Sequence, residues 1–295
     1  MNWPELPLTN WSATADTLHL WTQIVGKIRL ALSPHMNHWW QTPLYVSARG
    51  LTTSLIPYRD GAFELEFDFL DHNLVIRDSS RSTNFVPLYA RPVADFYREL
   101  MAVLHAIDID VKIWPTPVEV PDPIPFPDDT AHASYDREAA GRFHRVLLSV
   151  DAVLKEFRGG FSGKASPVHF FWGSFDLAVT RFSGRRAPER EEADRITREA
   201  YSHECSSAGW WPGRGAIADA AFYSYTSPEP EGYSAYRVLP AAAFYHPELR
   251  EFVLMYDEVR KSAKPEETLG AFLQSTYEAG ATLGRWDRAA LEVHH

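Results

Sequence analysis

Residues 63–69, Phe-Glu-Leu-Glu-Phe-Asp-Phe, alternate apolar and acidic side chains without a break. Successive side chains of a strand point to opposite faces. Phe63, Leu65, Phe67 and Phe69 therefore share one face, and Glu64, Glu66 and Asp68 the other. The turn Asp71-His72-Asn73 leads into Leu74-Val75-Ile76, and the two runs predict a half-buried antiparallel hairpin. The three acids sit roughly 7 Å apart along the strand. That is too far to share one ion unaided, so they read as a solvated face.

The rest of the chain adds helices on either side of such strands. Leu18, Trp21, Val25, Ile28 and Leu32 recur at helical spacing and predict a helix over 15–33, stopped by Pro34. Strand residues Leu44, Val46 and Leu51 to Ile56 follow, with a turn or bulge at Gly50. A second helix is expected over 92–106, opened by Pro92 and striped by Val93, Phe96, Tyr97, Leu100 and Leu104, then a strand near 109–114. Pro115, Pro117, Pro121, Pro123, Pro125 and Pro127 forbid helix and favour extended chain. A long helix over 136–158 ends at Gly159-Gly160, and strands are expected near 167–172, 175–182, 201–207, 220–226 and 251–256. The charged stretch 185–200 suits a short surface helix, and a last helix starts at Pro265 and is capped by Gly284. The fold class is α+β, antiparallel sheets flanked by helices. It divides into an N-terminal half (1–114), a proline-rich connector (115–134) and a C-terminal half (135–295), which can also pack as one compact unit. Both halves run helix, strands, helix without a residue-level repeat, which raises a diverged duplication as a reading of the architecture.

Charge and cysteine content exclude several function classes. Acidic residues outnumber basic ones by 39 to 29, a formal charge of -10, and no basic run occurs, so nucleic acid and anionic membrane are not expected partners. The single cysteine, Cys205, rules out an internal disulfide framework and argues against a cysteine-based zinc site. No stretch reaches the ~18 apolar residues of a membrane span. The first residues, Met1-Asn2-Trp3-Pro4-Glu5, lack the pattern of a secretory leader, and the cytoplasm is the expected location. Ten tryptophans are a rich supply of core anchors or ligand-stacking walls.

The segment Ser166 to Arg181 carries most of the chemistry. A two-residue turn at Gly173-Ser174, with Gly173 taking a positive φ, pairs Trp172 with Phe175, Phe170 with Leu177 and Val168 with Val179 on an apolar face. The other face carries His169, Phe171, Asp176 and Ala178. His169 and Asp176 become diagonal neighbours roughly 7 Å apart, within reach of one contact. A carboxylate beside an imidazole fixes its tautomer and raises its basicity, as a general base or a metal ligand requires. Alternatively, the two satisfy each other under a covering helix. A second polar cluster, Ser202-His203-Glu204-Cys205, precedes Gly209-Trp210-Trp211-Pro212-Gly213, which reads as a shaped loop with aromatic walls. His35, His38, Trp39 and Trp40 make a comparable patch. His38, His169, His203 and Glu204 or Asp176 have the ligand types of a mononuclear metal site, without any established metal spacing. Phosphate loops, dinucleotide fingerprints and the nucleophile elbow are absent, Gly160-Phe161-Ser162-Gly163 being a near miss. Cys205 beside His203 suits a thiol nucleophile on paper, although lone cysteines usually belong to the core.

Long strings resemble an uncharacterised bacterial family known as a domain of unknown function. They are Leu18 to Leu32, Asn37-His38-Trp39-Trp40, Arg49 to Ser54, Ser166 to Gly184, Tyr201-Ser202-His203-Glu204 and Phe272 to Glu278, and the likeness extends over nearly the whole chain. The resemblance implies a stand-alone intracellular protein and assigns no activity.

Three functions are consistent with these residues. The first in rank is a module binding a small molecule in an aromatic pocket, with His38, Trp39, Trp40, Trp172, Trp210 and Trp211 as candidate contacts. The second is an enzyme with a His/acid, optionally metal-dependent, site built from His169, Asp176, His203 and Glu204. The third is a structural or partner-binding protein, marked by an exposed apolar patch. No cofactor is indicated.

Overall fold

In the computed structural model, which describes residues 1–80 and 82–293, the first long helix spans Ser12–Leu32 (α1) and is buried around nearly its whole circumference. Leu18, Trp21, Ile24, Val25 and Ile28 enter the core. Many polar residues of α1 are buried as well, and four of them pin loops. His19 Nε2 donates to the Gly173 carbonyl (2.7 Å). Gln23 holds Val118 through both of its backbone groups (2.8 and 2.9 Å). Lys27 Nζ donates to the Thr116 carbonyl (2.7 Å) and Arg29 Nε to that of Gln41 (2.8 Å). Buried polar groups demand partners, so α1 fixes the course of the proline-rich passage.

Strands Tyr45–Val46 (β1), Gly50–Thr52 (β2), Ile56–Tyr58 (β3), Gly61–Asp68 (β4), Asn73–Asp78 (β5) and Thr83–Pro87 (β6) form an antiparallel sheet in the order β1-β2-β4-β5-β6, with β3 also on β4. Helix Val93–Ala106 (α2) packs on β6 and α1, where Trp21 stacks on Phe96 at 4.6 Å. The β4–β5 hairpin forms as expected, with Phe63, Leu65 and Phe67 buried. Two of its three acids, Glu66 and Asp68, are however buried. Ser47 Oγ and Arg77 Nη1 donate to Glu66 (2.6 and 2.7 Å), and Arg49 Nε donates to Asp68 (2.5 Å). The segment after β1 folds over the acids, and ion pairing replaces water. The strand expected over 109–114 is also absent. That stretch has no ladder partner and is tied to the first sheet through the Tyr58 hydroxyl, which accepts from Asp110 N–H (2.9 Å).

Asp136 caps helix Arg137–Gly159 (α3) by accepting from the Glu138 and Ala139 amides (2.8 and 3.0 Å). Strands His169–Phe171 (β7) and Asp176–Arg186 (β8), helix Arg195–Ala200 (α4), and strands His203–Trp211 (β9), Ala221–Ser227 (β10), Phe244–His246 (β11) and Glu251–Met255 (β12) follow. Helices Tyr256–Arg260 (α5), Pro265–Leu283 (α6) and Arg288–Leu291 (α7) complete the chain. The second sheet is antiparallel throughout, in the order β11-β12-β10-β9-β8-β7. Its row Leu177, Trp210, Phe222, Leu254 is fully buried on the face that receives α3 and α6. The two sheets meet edge to edge, where Leu44 and Phe170 exchange both backbone hydrogen bonds (2.9 and 2.8 Å). One apolar core runs through both, with Phe143 stacked on Phe175 (5.3 Å) and against Trp11 (5.3 Å). Seven helices and two six-stranded antiparallel sheets among the described residues make the fold α+β.

The β7–β8 register agrees with the sequence reading, His169 opposite Ala178 and Phe171 opposite Asp176, but the turn is wider. Phe175 N–H closes on the Phe171 carbonyl (2.8 Å), and Phe175 rather than Gly173 takes the left-handed conformation (φ 60). The wider turn sends both aromatics inward. Trp172 lies over Gly26 of α1, where a Cβ would come within 2.2 Å of the indole, and Phe175 reaches Phe143.

Candidate functional site

The second sheet has another face, which receives neither α3 nor α6. Register places Ala178, Gly209 and Tyr223 in one cross-strand row, and Thr180, Ser207 and Tyr225 in the next. Asp176 and Trp211 stand beyond one end, Phe182 and Cys205 beyond the other. Glu251 enters from β12, paired next to the Tyr225 position. Loops roof this face: His38 and Trp40 before β1, Glu119 of the proline-rich passage, and Ile196 to Tyr201 around α4. They leave a cleft of about 530 Å³. A second cavity of about 770 Å³, between α1 and the proline-rich passage, shares Glu119, Ser174 and Trp211 with it. The proline-rich stretch is thus a wall of both cavities.

The centre of the cleft is a cross-strand contact made possible by a missing side chain. Tyr223 on β10 reaches Asp176 on β8, two strands away, by laying its phenol across Gly209 of β9. A Cβ on Gly209 would fall 2.7 Å from the Tyr223 hydroxyl and 2.4 Å from the Leu177 carbonyl. Tyr223 Oη donates to Asp176 Oδ2, and Ser174 Oγ donates to Oδ1 (2.5 Å). The Tyr223 ring stacks beside Tyr225 (centroids 6.2 Å), whose hydroxyl bonds that of Tyr201 (2.8 Å). Burial pushes the Asp176 carboxyl up to about 6, although the hydroxyls of Ser174 and Tyr223 favour its ionised form. Burial, then the charge of Asp176, raises Glu251 to about 7 and moves Glu119 in the same direction.

The far end is basic. His38 sits in a short turn, Asn37–Trp39, in which both His38 and Trp39 adopt left-handed backbone (φ 56 and 60), a conformation costly for residues with side chains. His38 Nδ1–H donates to the Ala200 carbonyl (3.2 Å) and Nε2 accepts from Lys164 Nζ (2.6 Å), which fixes the neutral tautomer. Burial and the neighbouring ammonium lower its pKa. The Lys164 ammonium also lies over the rings of Trp40 (5.4 Å) and Phe182 (5.1 Å).

Among the residues singled out from sequence, His38, Trp40, Trp211 and Asp176 line this cleft. His169 shares a sheet face with Asp176 but makes no hydrogen bond to it. Its ring is fully buried among Tyr45, Trp40 and Phe171, neither nitrogen has a partner among the described residues, and burial, then Arg29 and Arg158, lower its pKa to about 3. His203 lies beside His38 (ring centroids 5.6 Å) and bonds Ser202 Oγ (3.0 Å). Glu204 takes the opposite side of β9 from Cys205 and pairs with Arg185 (2.6 Å), which donates to the Gly284 and Arg285 carbonyls just past the end of α6 (2.5 and 3.1 Å). Trp39 stands against His35 and Arg195. Trp172 and Trp210 belong to the core, Trp172 with its Nε1 on the Thr42 carbonyl (2.9 Å) and Trp210 against Phe143 and Tyr256. Gly209, Trp210 and Trp211 are strand, not loop, because Ala208 to Trp211 pair along β10. Among the described residues, no three His, Cys, Asp or Glu side chains are placed to hold a metal ion, so the metal set drawn from sequence does not assemble. Burial raises the Cys205 thiol to about 12, which makes it a poor nucleophile. Sequence reasoning missed Tyr223, Tyr225, Glu251 and Glu119. The signals available were the i, i+2 tyrosines of β10 and the lone glycine inside β9.

An α+β protein with a recessed aromatic and carboxylate sheet face is the class that fold and site define. The chain belongs to DUF5996, a family of unknown function, whose model matches residues 3–293. No curated protein and no solved structure matches it. No helix among the described residues is long and apolar enough to cross a membrane.

Proposed function

We propose that the protein binds a small organic molecule in the cleft over the second sheet. One observation carries this reading. The face bearing Asp176, Tyr223 and Tyr225 is recessed under loops and the short helix α4, which leave about 530 Å³ open. Cavities of roughly this size, apolar-walled with a few convergent polar groups, are the usual form of small-molecule sites. The test is a fragment and metabolite screen by protein-observed NMR, repeated with Thr180→Trp, which puts an indole into the cleft from its floor. Hits that bind the native protein and are lost in the variant support the proposal. Hits that bind both equally, or no hits at all, overturn it.

A second reading, proton transfer to or from the bound molecule, is favoured by the two carboxyls raised to about 6 and about 7 beside one phenol. Acid–base sites commonly pair titratable groups whose surroundings move them toward neutral pH. Asp176 and Glu251 would carry the proton, and His169, His203 and Glu204 would not. Mass-spectrometric turnover of confirmed hits separates this reading from binding alone.

A further inference from the structure

We propose that the molecule taken by this cleft is an organic cation, an amine or alkylated ammonium, held against Asp176, Glu251 and Glu119 and between aromatic faces. This rests on the binding reading above and specifies its ligand.

The first support is charge without a counter-charge. Asp176, Glu251 and Glu119 all line the cleft, whose one basic lining side chain among the described residues, His38, is fixed in its neutral tautomer, while the Lys164 ammonium behind it at the far end pairs with none of the three. Among the described residues, no Lys, Arg or His forms an ion pair with any of the three carboxylates. The strongest charged influence on Glu251 and on Glu119 is Asp176 itself. Asp176 is only 5% exposed, and its partners are two hydroxyls. A carboxylate removed from water without a cation is costly to hold ionised. A ligand that brings a positive charge supplies the missing partner for all three.

The second support comes from the walls. Trp40, Phe171, Phe182, Trp211 and Tyr225 line the cavity, and aromatic faces attract ammonium groups, most strongly where water is excluded. The protein already uses two of them in this way: the Lys164 ammonium rests over Trp40 and Phe182. That contact is an internal example of a cation seated on these walls, independent of the carboxylates. A formal charge of -10 further favours the approach of cations over anions.

The probes are choline with its uncharged isostere 3,3-dimethylbutan-1-ol, and 2-phenylethylamine with 2-phenylethanol. Binding is measured by calorimetry and NMR at pH 8 on the native protein, Asp176→Asn and Glu251→Gln, with circular dichroism to confirm that each variant is folded. The expected result is that the cation of at least one pair binds about tenfold or more tighter than its isostere. Each variant removes most of that preference while leaving the weak binding of the isostere in place. Equal affinity of cation and isostere, or a preference that survives both substitutions, overturns the cation assignment and leaves the cleft as a binding site. So does failure of all four probes when neutral hits from the screen still occupy the cleft. If neither probes nor screen find any ligand, the binding reading fails with it.

Discussion

Asp176→Asn should make the protein more stable at pH 8, although it removes a buried, hydrogen-bonded group. The carboxyl titrates at about 6 in the folded protein against an ordinary 3.8. At about 1.4 kcal/mol for each tenfold in the proton equilibrium, ionising it in the fold costs about 3 kcal/mol more than in the unfolded chain. A group raised in this way gives its full contribution below pH 3.8, and that contribution is lost as pH rises through about 6. Asparagine has the same shape, stays neutral, and can still engage Ser174 and Tyr223, though without charge-assisted bonds. Setting the lost hydrogen-bond strength against the removed charge leaves a net gain of about 1–3 kcal/mol at pH 8. The gain should shrink to near zero by pH 4. Urea unfolding followed by circular dichroism at both pH values measures it. A variant less stable than the native protein at pH 8, or a difference that does not change with pH, would refute the view that Asp176 is held ionised against the preference of the fold. Stability gained at the expense of ligand affinity is the usual mark of a binding residue kept for function.

Four further outcomes follow from the same structure. His169→Leu should reduce acid sensitivity: the native ring resists protonation down to about 3, so its contribution is present above pH 6.5 and lost as pH falls toward 3. Melting temperature against pH should fall less steeply in the variant between pH 6.5 and 4. Gly209→Ala should cost about 1–3 kcal/mol by overpacking and weaken ligand binding, because the new methyl displaces the Tyr223 phenol from Asp176. Gly270→Ala, in α6 with open space around it, should instead stabilise by about 0.5–1 kcal/mol, and denaturant titration distinguishes the two. Arg181→Lys should cost about 2–4 kcal/mol by the same measurement. The guanidinium is 1% exposed, stacked 3.5 Å from the Phe157 ring centroid and 4.4 Å from that of Tyr277, and an ammonium cannot reproduce that planar stacking.

The longer elements were legible in the chain, whereas β6, β11, α5 and α7 were not foreseen and the strand expected over 109–114 did not form. Period two in Phe63 to Phe69, helical spacing in Leu18 to Leu32, Gly159-Gly160 at the end of α3, and Gly284 after α6 each act over a few residues. Local sterics and hydrogen bonding therefore write them directly into the sequence. The register that sets Phe171 opposite Asp176 was legible too, because the apolar face of that hairpin permits only one alignment. What covers a strand face is a different matter. Glu66 and Asp68 were expected in water and lie under Arg49 and Arg77. Trp172 and Trp210 were expected at a ligand and lie in the core, whereas Glu119 and Glu251 reach the cleft from remote strands and loops. Periodicity tells which side of its own strand a residue takes. Whether that side meets a helix, a loop or an open cavity is decided by segments far away in the chain, and the crossing of Tyr223 over Gly209 to Asp176 exists only once three strands lie side by side.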